Sequence, residues 1–398
     1  MAPITLVMVL AWLAGVTPAR ANGRVIAWGA GKTIDEKSTY DWGQSIIPTS
    51  SLTNAVQVAG GQLHSLALKA DGSLAAWGDN SVGETDVPPG TNYVAIACGA
   101  HHSLALQKNG AIVAFGDPFF DQTDVPSGLT NVVAVACGWY HSLVLKSDGT
   151  VTAWGAGTNL EPVGTTPNYG QTIVPTGLSN VVAIAGGGYH SMALKTDGTV
   201  VEWGDQATWG GQIPPGLSNV VAIATGAEHN VAIIAGGTLA VWGNNIYGQT
   251  SIPAGLCNVV AVAAGAWHTL ALKADGTVVA WGAGIGSNTN VDFGQNIVPS
   301  GLSNVVQVAA GWVHSLVLAE SGPPVLAAPL TAGEGGINGF NVTTHTSNGR
   351  VYQLEYVDSL TNQVWTALPL QCGTGGIIEL NDPAATSTIK RFYRLNRW

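Results

Sequence analysis

One unit recurs seven times along this chain. A chain built that way folds as repeated copies of one small motif, not around a single irregular core. Aligned on the histidine of a Gly-x-x-His element, the copies carry His64, His102, His141, His190, His229, His268 and His314, at steps of 38, 39, 49, 39, 39 and 46 residues. An aromatic residue before glycine keeps the same period, at Trp28, Trp77, Phe115, Trp154, Trp203, Trp242 and Trp281. So does a proline, at Pro48, Pro88, Pro126, Pro175, Pro214, Pro253 and Pro299.

Within a unit the pattern reads as four short strands. Val259 to Ala264 is an apolar run rich in β-branched residues. His268 to Lys273 and Thr277 to Trp281 alternate, and Thr250 to Pro253 is a brief fourth segment. Asp275-Gly276 supplies the hairpin turn between the second and third. The first strand ends in Ala, Gly or Cys, which suits a crowded axis. The fourth ends in proline, which suits an edge. The recurrent tryptophan is expected to pack one blade on the next. These features predict an all-β chain: a seven-bladed β-propeller of four-stranded blades. The repeat stops near Gly322 at the turn register where Asn22 to Trp28 resumes it. The ring is therefore expected to close with N- and C-terminal segments in one blade, leaving no open edge.

The Gly-x-x-His-Ser and Trp-Gly-x-Asn-x-x-Gly-Gln elements, as in Gly265 to Thr269 and Trp242 to Gln249, resemble the regulator of chromosome condensation repeat family over Asn22 to about Gly322. The short Gln-Thr-x-x-Pro units are similar in style to exported seven-bladed β-lactamase-inhibitor proteins of that family. The resemblance implies a protein-binding scaffold. Guanine-nucleotide exchange is disfavoured, because the exchange members have longer repeats and work inside cells.

Outside the repeat, Ile4 to Val16 is a mostly apolar run followed by Ala19-Arg20-Ala21, the pattern of a signal peptide over 1–21. Its removal predicts a secreted, extracellular or periplasmic protein with no integral membrane segment. The propeller is assigned to 22–322. Residues 323–398 show strand-like stretches between turn signals and read as a small β-sandwich of the fibronectin or immunoglobulin kind, similar to modules on exported bacterial repeat proteins. The formal net charge is −10, and the acidity lies upstream of that module, which argues against nucleic-acid binding. Cys98 and Cys137 occupy matching repeat positions as small buried residues, with a disulfide between neighbouring copies as the alternative.

No catalytic, metal or cofactor site is expected. Seven symmetric histidines do not converge on one ion, and each is expected to hydrogen-bond within its own blade. Irregular carboxylates such as Glu202, Asp205 and Glu228 show no spacing that pairs two of them. Variation concentrates instead in the 1–2 and 3–4 loops, which open on the same face. They hold Asp79, Asp117, Phe119, Phe120, Trp139, Tyr140, Tyr189, Trp209, Tyr247, Trp267 and Trp312. The distance from the repeat aromatic to the proline is 11 in four copies but 20, 21 and 18 in those starting at Trp28, Trp154 and Trp281. Extra length therefore gathers on the same rim. Exposed aromatics beside acidic and amide groups predict a protein-binding surface round the mouth of a central channel. A carbohydrate or cell-surface site is the rival, a propeller hydrolase or lyase a third reading. The structural alternative is that many of these rings are half-buried between blades.

Overall fold

The computed structural model describes residues 23–32, 40–48, 52, 54–157, 167–205, 211–284 and 291–319, and the strands at 330–331, 340–345, 351–357, 366–367, 371–372, 377–382 and 392–397. Among the described residues every regular element is a strand. Among those residues no helix is long and apolar enough to cross a membrane. The signal-peptide assignment lies outside the described residues.

Seven three-stranded antiparallel sheets make up the repeat region. The first sheet is Ala55–Gly60, His64–Lys69 and Leu74–Gly78. The second is Tyr93–Cys98, His102–Gln107 and Ile112–Gly116. The third is Val132–Cys137, His141–Lys146 and Val151–Gly155. The fourth is Val181–Gly186, His190–Lys195 and Val200–Gly204. The fifth is Val220–Thr225, His229–Ile234 and Thr238–Gly243. The sixth is Val259–Ala264, His268–Lys273 and Val278–Gly282. The seventh joins Val305–Ala310 and His314–Ala319 to Arg24–Gly29.

The seventh sheet is the expected closure. Arg24–Gly29 pairs antiparallel with His314–Ala319, with Trp28 opposite Ser315 and Gly29 opposite His314. That register matches Trp77 opposite Ser65 and Gly78 opposite His64 in the first sheet. The first strands of successive sheets contact one another in order, and that of the seventh contacts that of the first, so the sheets form a closed ring. This is the arrangement of a β-propeller, with the first strands inside as their small residues predict.

Each sheet has three strands, not the expected four. The segment ending in the repeat proline forms local turns: Ser251 N–H donates to Gly248 O at 3.0 Å and Ile252 N–H to Thr250 O at 3.1 Å. Its amides are satisfied within the segment, and Pro253 has none to offer, so no ladder forms along it.

Two rings of hydrogen bonds stitch the sheets together. Each histidine Nε2 lies 2.8–3.0 Å from a side-chain oxygen of the next sheet: His64 to Ser103, His102 to Ser142, His141 to Ser191, His190 to Asn230, His229 to Thr269, His268 to Ser315 and His314 to Ser65. The expectation of bonding within one blade is thus corrected. The imidazole lies over the Cα of the glycine three residues before it, where a Cβ would strike the ring, and reaches across to its neighbour. Nearer the axis, seven backbone bonds of 3.1–3.2 Å run from sheet to sheet, from Gln62 N–H to Ala100 O round to Trp312 N–H to Gly61 O.

In five of the seven units a glutamine of the preceding loop ties the unit down. The carbonyl of Gln44 accepts from Ser65 Oγ at 3.0 Å and Trp77 Nε1 at 2.8 Å. Gln122, Gln171, Gln249 and Gln295 do the same for their units. Because the serine hydroxyl donates to that carbonyl, it must accept from the imidazole, which fixes the Nε2–H tautomer. The fifth sheet departs as a set. Asn230 replaces the serine, and Glu202 enters to accept from Asn230 Nδ2 at 3.0 Å and Trp242 Nε1 at 3.3 Å. The apolar core lies between sheets: Leu143 and Leu145 of the third pack with Val181, Ala193 and Trp203 of the fourth.

Residues 330–397 add two further antiparallel sheets. One carries Phe392–Arg397 beside Val351–Val357, and the other pairs Phe340–His345 with Ile377–Asp382. The sequence pattern expects strands at Phe340 to Val342, Val351 to Val357, Ile377 to Leu380 and Lys390 to Leu395, and these four strands fall on or beside them.

Candidate binding face

The antiparallel register puts the end of each first strand, the histidine and the Trp-Gly end of each third strand at one end of the sheet. Everything at that end is a 1–2 loop or a loop after the third strand, so the variable residues share one face. The glycine after the tryptophan makes the exit possible. Gly78 has φ +103°, and a Cβ there would collide with the carbonyl of Leu63.

Eight of the nine singled-out aromatics are described, and all eight belong to one connected set of rings. Phe119 meets Phe120 at 4.8 Å between centroids, Phe120 meets Tyr140 at 5.1 Å, and Tyr140 and Trp139 adjoin Tyr189. Trp267 links Tyr247 at 5.7 Å to Trp312 at 5.6 Å. Trp209 lies outside the described residues. The two halves of the set join where Trp139 and Trp312 approach to 5.2 Å. These tryptophans come from the third and seventh sheets, on opposite sides of the ring. Their indoles therefore meet over the axis. The axial cavity beneath, about 140 Å³, is lined by the first-strand ends of all seven sheets and by both tryptophans. The mouth is capped by indoles, not open and encircled by them.

Exposure also differs from the expectation. Phe119 is 78% exposed, but the other seven described rings are half-buried against one another. Ile246 adds a further apolar side chain, 77% exposed. The acidic residues have local duties. Asp79 is buried and its carboxylate accepts from Ser81 N–H at 2.9 Å and Ser81 Oγ at 3.1 Å, so it is withdrawn from the surface. Asp117 accepts from Phe119 N–H at 2.9 Å while remaining half-buried. In the copies with insertions a residue from the far side of the insertion takes this role. Asp41, Asn168 and Asp292 accept from Gly31, Gly157 and Gly284.

Sequence reading missed Tyr40, Tyr169 and Phe293, which extend the same set of rings. Tyr169 and Phe293 carried a signal: like Phe120 and Tyr247 they stand two residues before the repeat glutamine, and in all four the amide donates to its Oε1 at 2.7–2.9 Å. Tyr40 lies two residues earlier. Its contact with Phe293 at 5.1 Å joins the flanks of the insertions after Trp28 and Trp281, as closure requires. The insertions themselves, 33–39, 158–166 and 285–290, lie mostly outside the described residues.

The titratable groups divide between ring and face. Burial lowers the ring histidines, to about 4 at His64 and about 3 at His102, His141, His229, His268 and His314, so they stay neutral. Burial raises Glu202 to about 7 despite its bonds from Trp242 and Asn230. On the face, burial raises Tyr140 with help from the charge of Asp117. Burial, then Tyr140, Tyr169 and Glu228, raise Tyr189 to about 12. Glu84, where five other copies carry glutamine, stands 3.3 Å from His101 Nδ1. Among the described residues no cluster of three His, Cys, Asp or Glu is placed to hold a metal ion. Cys98 and Cys137 are free thiols, and burial raises both.

Four segments, 55–84, 132–159, 181–207 and 259–295, match the family model described as the regulator of chromosome condensation (RCC1) repeat. No curated protein matches the chain. Among solved structures, Prp20p from Saccharomyces cerevisiae, described with its binding properties to Gsp1p and histones, aligns at TM-score 0.58 and 21% identity over 76% of this chain and 92% of its own. The same yeast protein bound to Kap60 aligns at 0.58 and 21% identity, over 76% and 90%. Human WBSCR16 aligns at 0.55 and 19% identity, over 75% and 99%. The repeat matches and these structures support an RCC1-type propeller.

Proposed function

We propose that this chain is an exported, non-catalytic scaffold that binds a protein partner on its aromatic face. The observation that carries this reading is the continuous set of rings meeting over the axis at Trp139 and Trp312, with Phe119 at its margin. Large, half-buried aromatics on a rigid frame lose little conformational freedom on binding and are the usual anchors of protein interfaces. The yeast structural neighbour binds proteins, and that supports a scaffold reading of the fold without naming a partner here. Its target, and that of the exported inhibitors the sequence resembles, cannot be carried across, because the face residues differ from copy to copy even within this chain.

Carbohydrate binding fits less well. Sugars stack on flat, open ring faces, whereas most contacts in this set are tilted or edge-on and cover one ring with the edge of the next. The test is capture by immobilised protein from panels of purified extracellular proteins and of polysaccharides, with Trp139→Ala alongside. A protein ligand lost in Trp139→Ala is the expected result. Retention of polysaccharides alone, or protein capture unchanged by the substitution, would overturn the reading. Export is tested separately: native material should begin at Asn22 by mass spectrometry, and an intact Met1 in a cytoplasmic fraction would refute it.

A further inference from the structure

The two ends of the ring differ in charge as well as shape. Six of the described basic residues of the ring, Arg24, Lys69, Lys108, Lys146, Lys195 and Lys273, stand at the end of the sheets remote from the aromatic face. There they lie among Asp71, Asp148, Asp197 and Asp275, and two of the lysines form ion pairs, Lys195 with Asp197 and Lys273 with Asp275. Strands of six residues put the two ends about 20 Å apart, more than twice the screening length of about 8 Å at physiological salt. At the aromatic end Asp41, Asp117, Asp121 and Glu228 are answered, among the described lysines and arginines, by Lys32 alone.

Two of those carboxylates border the rings. Asp117 acts on Tyr140 and Glu228 on Tyr189, and these two tyrosines stack at 6.3 Å beside Trp139. Ring faces carry negative potential of their own, so carboxylates next to them deepen one field. An acidic partner would be repelled from this surface, and a neutral one would gain nothing from its charge.

Resting on the reading of this face as a protein-binding site, we infer that its occupant is a polypeptide segment presenting arginine or lysine side chains, seated on Trp139, Tyr140 and Tyr189 with Asp117 and Glu228 as counter-charges. The longest-range part of this recognition is steering, because the opposite end offers no such field.

The probes are three capped Gly-rich peptides of equal length carrying arginine, citrulline or glutamate at two positions, titrated by calorimetry against the full chain. The arginine peptide should bind at least about tenfold more tightly than its uncharged citrulline isostere, with affinity falling as ionic strength rises from about 0.05 to about 0.5 M. The glutamate peptide should not bind. Asp117→Asn with Glu228→Gln should weaken the arginine peptide about fivefold or more at unchanged melting temperature, because each amide keeps the acceptor oxygen that the local turn uses. Lys273→Gln at the opposite end should leave binding unaltered. Equal binding of arginine and citrulline peptides, indifference to the double substitution, or no arginine-peptide binding up to about 1 mM would overturn the inference. If Trp139→Ala still abolished binding of a protein ligand in any of those cases, the face would remain a protein site and only the basic occupant would fall.

Discussion

At one end of the sheets Lys69, Lys146, Lys195 and Lys273 close the middle strands and lead into Asp-Gly turns that repeat almost without change. At the other end, the position before each histidine is held by Leu63, His101, Tyr140, Tyr189, Glu228, Trp267 and Val313, no two copies alike except the paired tyrosines. The turn end does the same local work in each of these copies: Asp71, Asp148, Asp197 and Asp275 each accept from the amide two residues on, at 2.9–3.0 Å. The loop end shows the opposite economy. Beneath its surface the His-to-next-sheet bond recurs in all seven sheets and the glutamine carbonyl in five, and that inner regularity frees the outer side chains to differ. A repeat scaffold individualises the layer that its own ring does not need.

The sharpest way to break this comparison is to remove the closure. Deleting residues 22–48 takes away the third strand of the seventh sheet and the Gln44 carbonyl that holds Ser65 and Trp77. The expected outcome is loss of the cooperative unfolding transition in urea, because both ends of the opened ring expose unpaired edges. A deletion variant melting like the whole protein would show that closure carries little.

Acid should come next in size. The ring histidines titrate at about 3 to 4 when folded, against about 6.5 when unfolded, with His190 lowered as well. The unfolded chain therefore binds more protons. The histidines' contribution is complete above about pH 6.5 and is lost as pH falls toward about 3, at up to about 1.4 kcal/mol per pH unit for each histidine. Glu202, raised to about 7, works the other way: its contribution is present below its ordinary value and is lost as pH rises through about 7. Burial raises Glu228 too, but seven groups outweigh two, so denaturation midpoints between pH 7 and 4 should fall steadily. A flat profile would mean that the imidazoles are not held neutral.

A single member of the ring tests the same bonds at neutral pH. His141→Ala leaves a cavity against Gly138 and strips Ser191 of its donor, and should cost about 2–4 kcal/mol in urea denaturation. Trp139→Ala should instead cost binding about 2 kcal/mol or more once a ligand is in hand, because it removes the ring that bridges the two halves of the aromatic set. The smallest effect belongs to the turn end. Lys273→Gln breaks a surface pair whose carboxylate is open to solvent and should move stability by no more than about 0.5 kcal/mol and binding not at all. A larger loss of binding there would place the functional surface on the wrong end.

Sequence alone determined the repeat, its register and the closure. Periodicity and antiparallel alternation are local properties, and Gly29 can face His314 only if the seventh copy is shared by both ends of the chain. It also placed the variable aromatics on one face, because loop parity follows from strand order. Three matters were decided by tertiary structure. The proline-ended segment reads as a strand until its amides are seen to be spent locally. Asp79 reads as surface charge until it is found buried on Ser81. The approach of Trp139 and Trp312 is the plainest case: residues 173 apart in the chain (312 − 139) meet because a closed ring points both over one axis. No spacing in one dimension carries that distance. It arises from the curvature that seven sheets adopt when the last is hydrogen-bonded to the first.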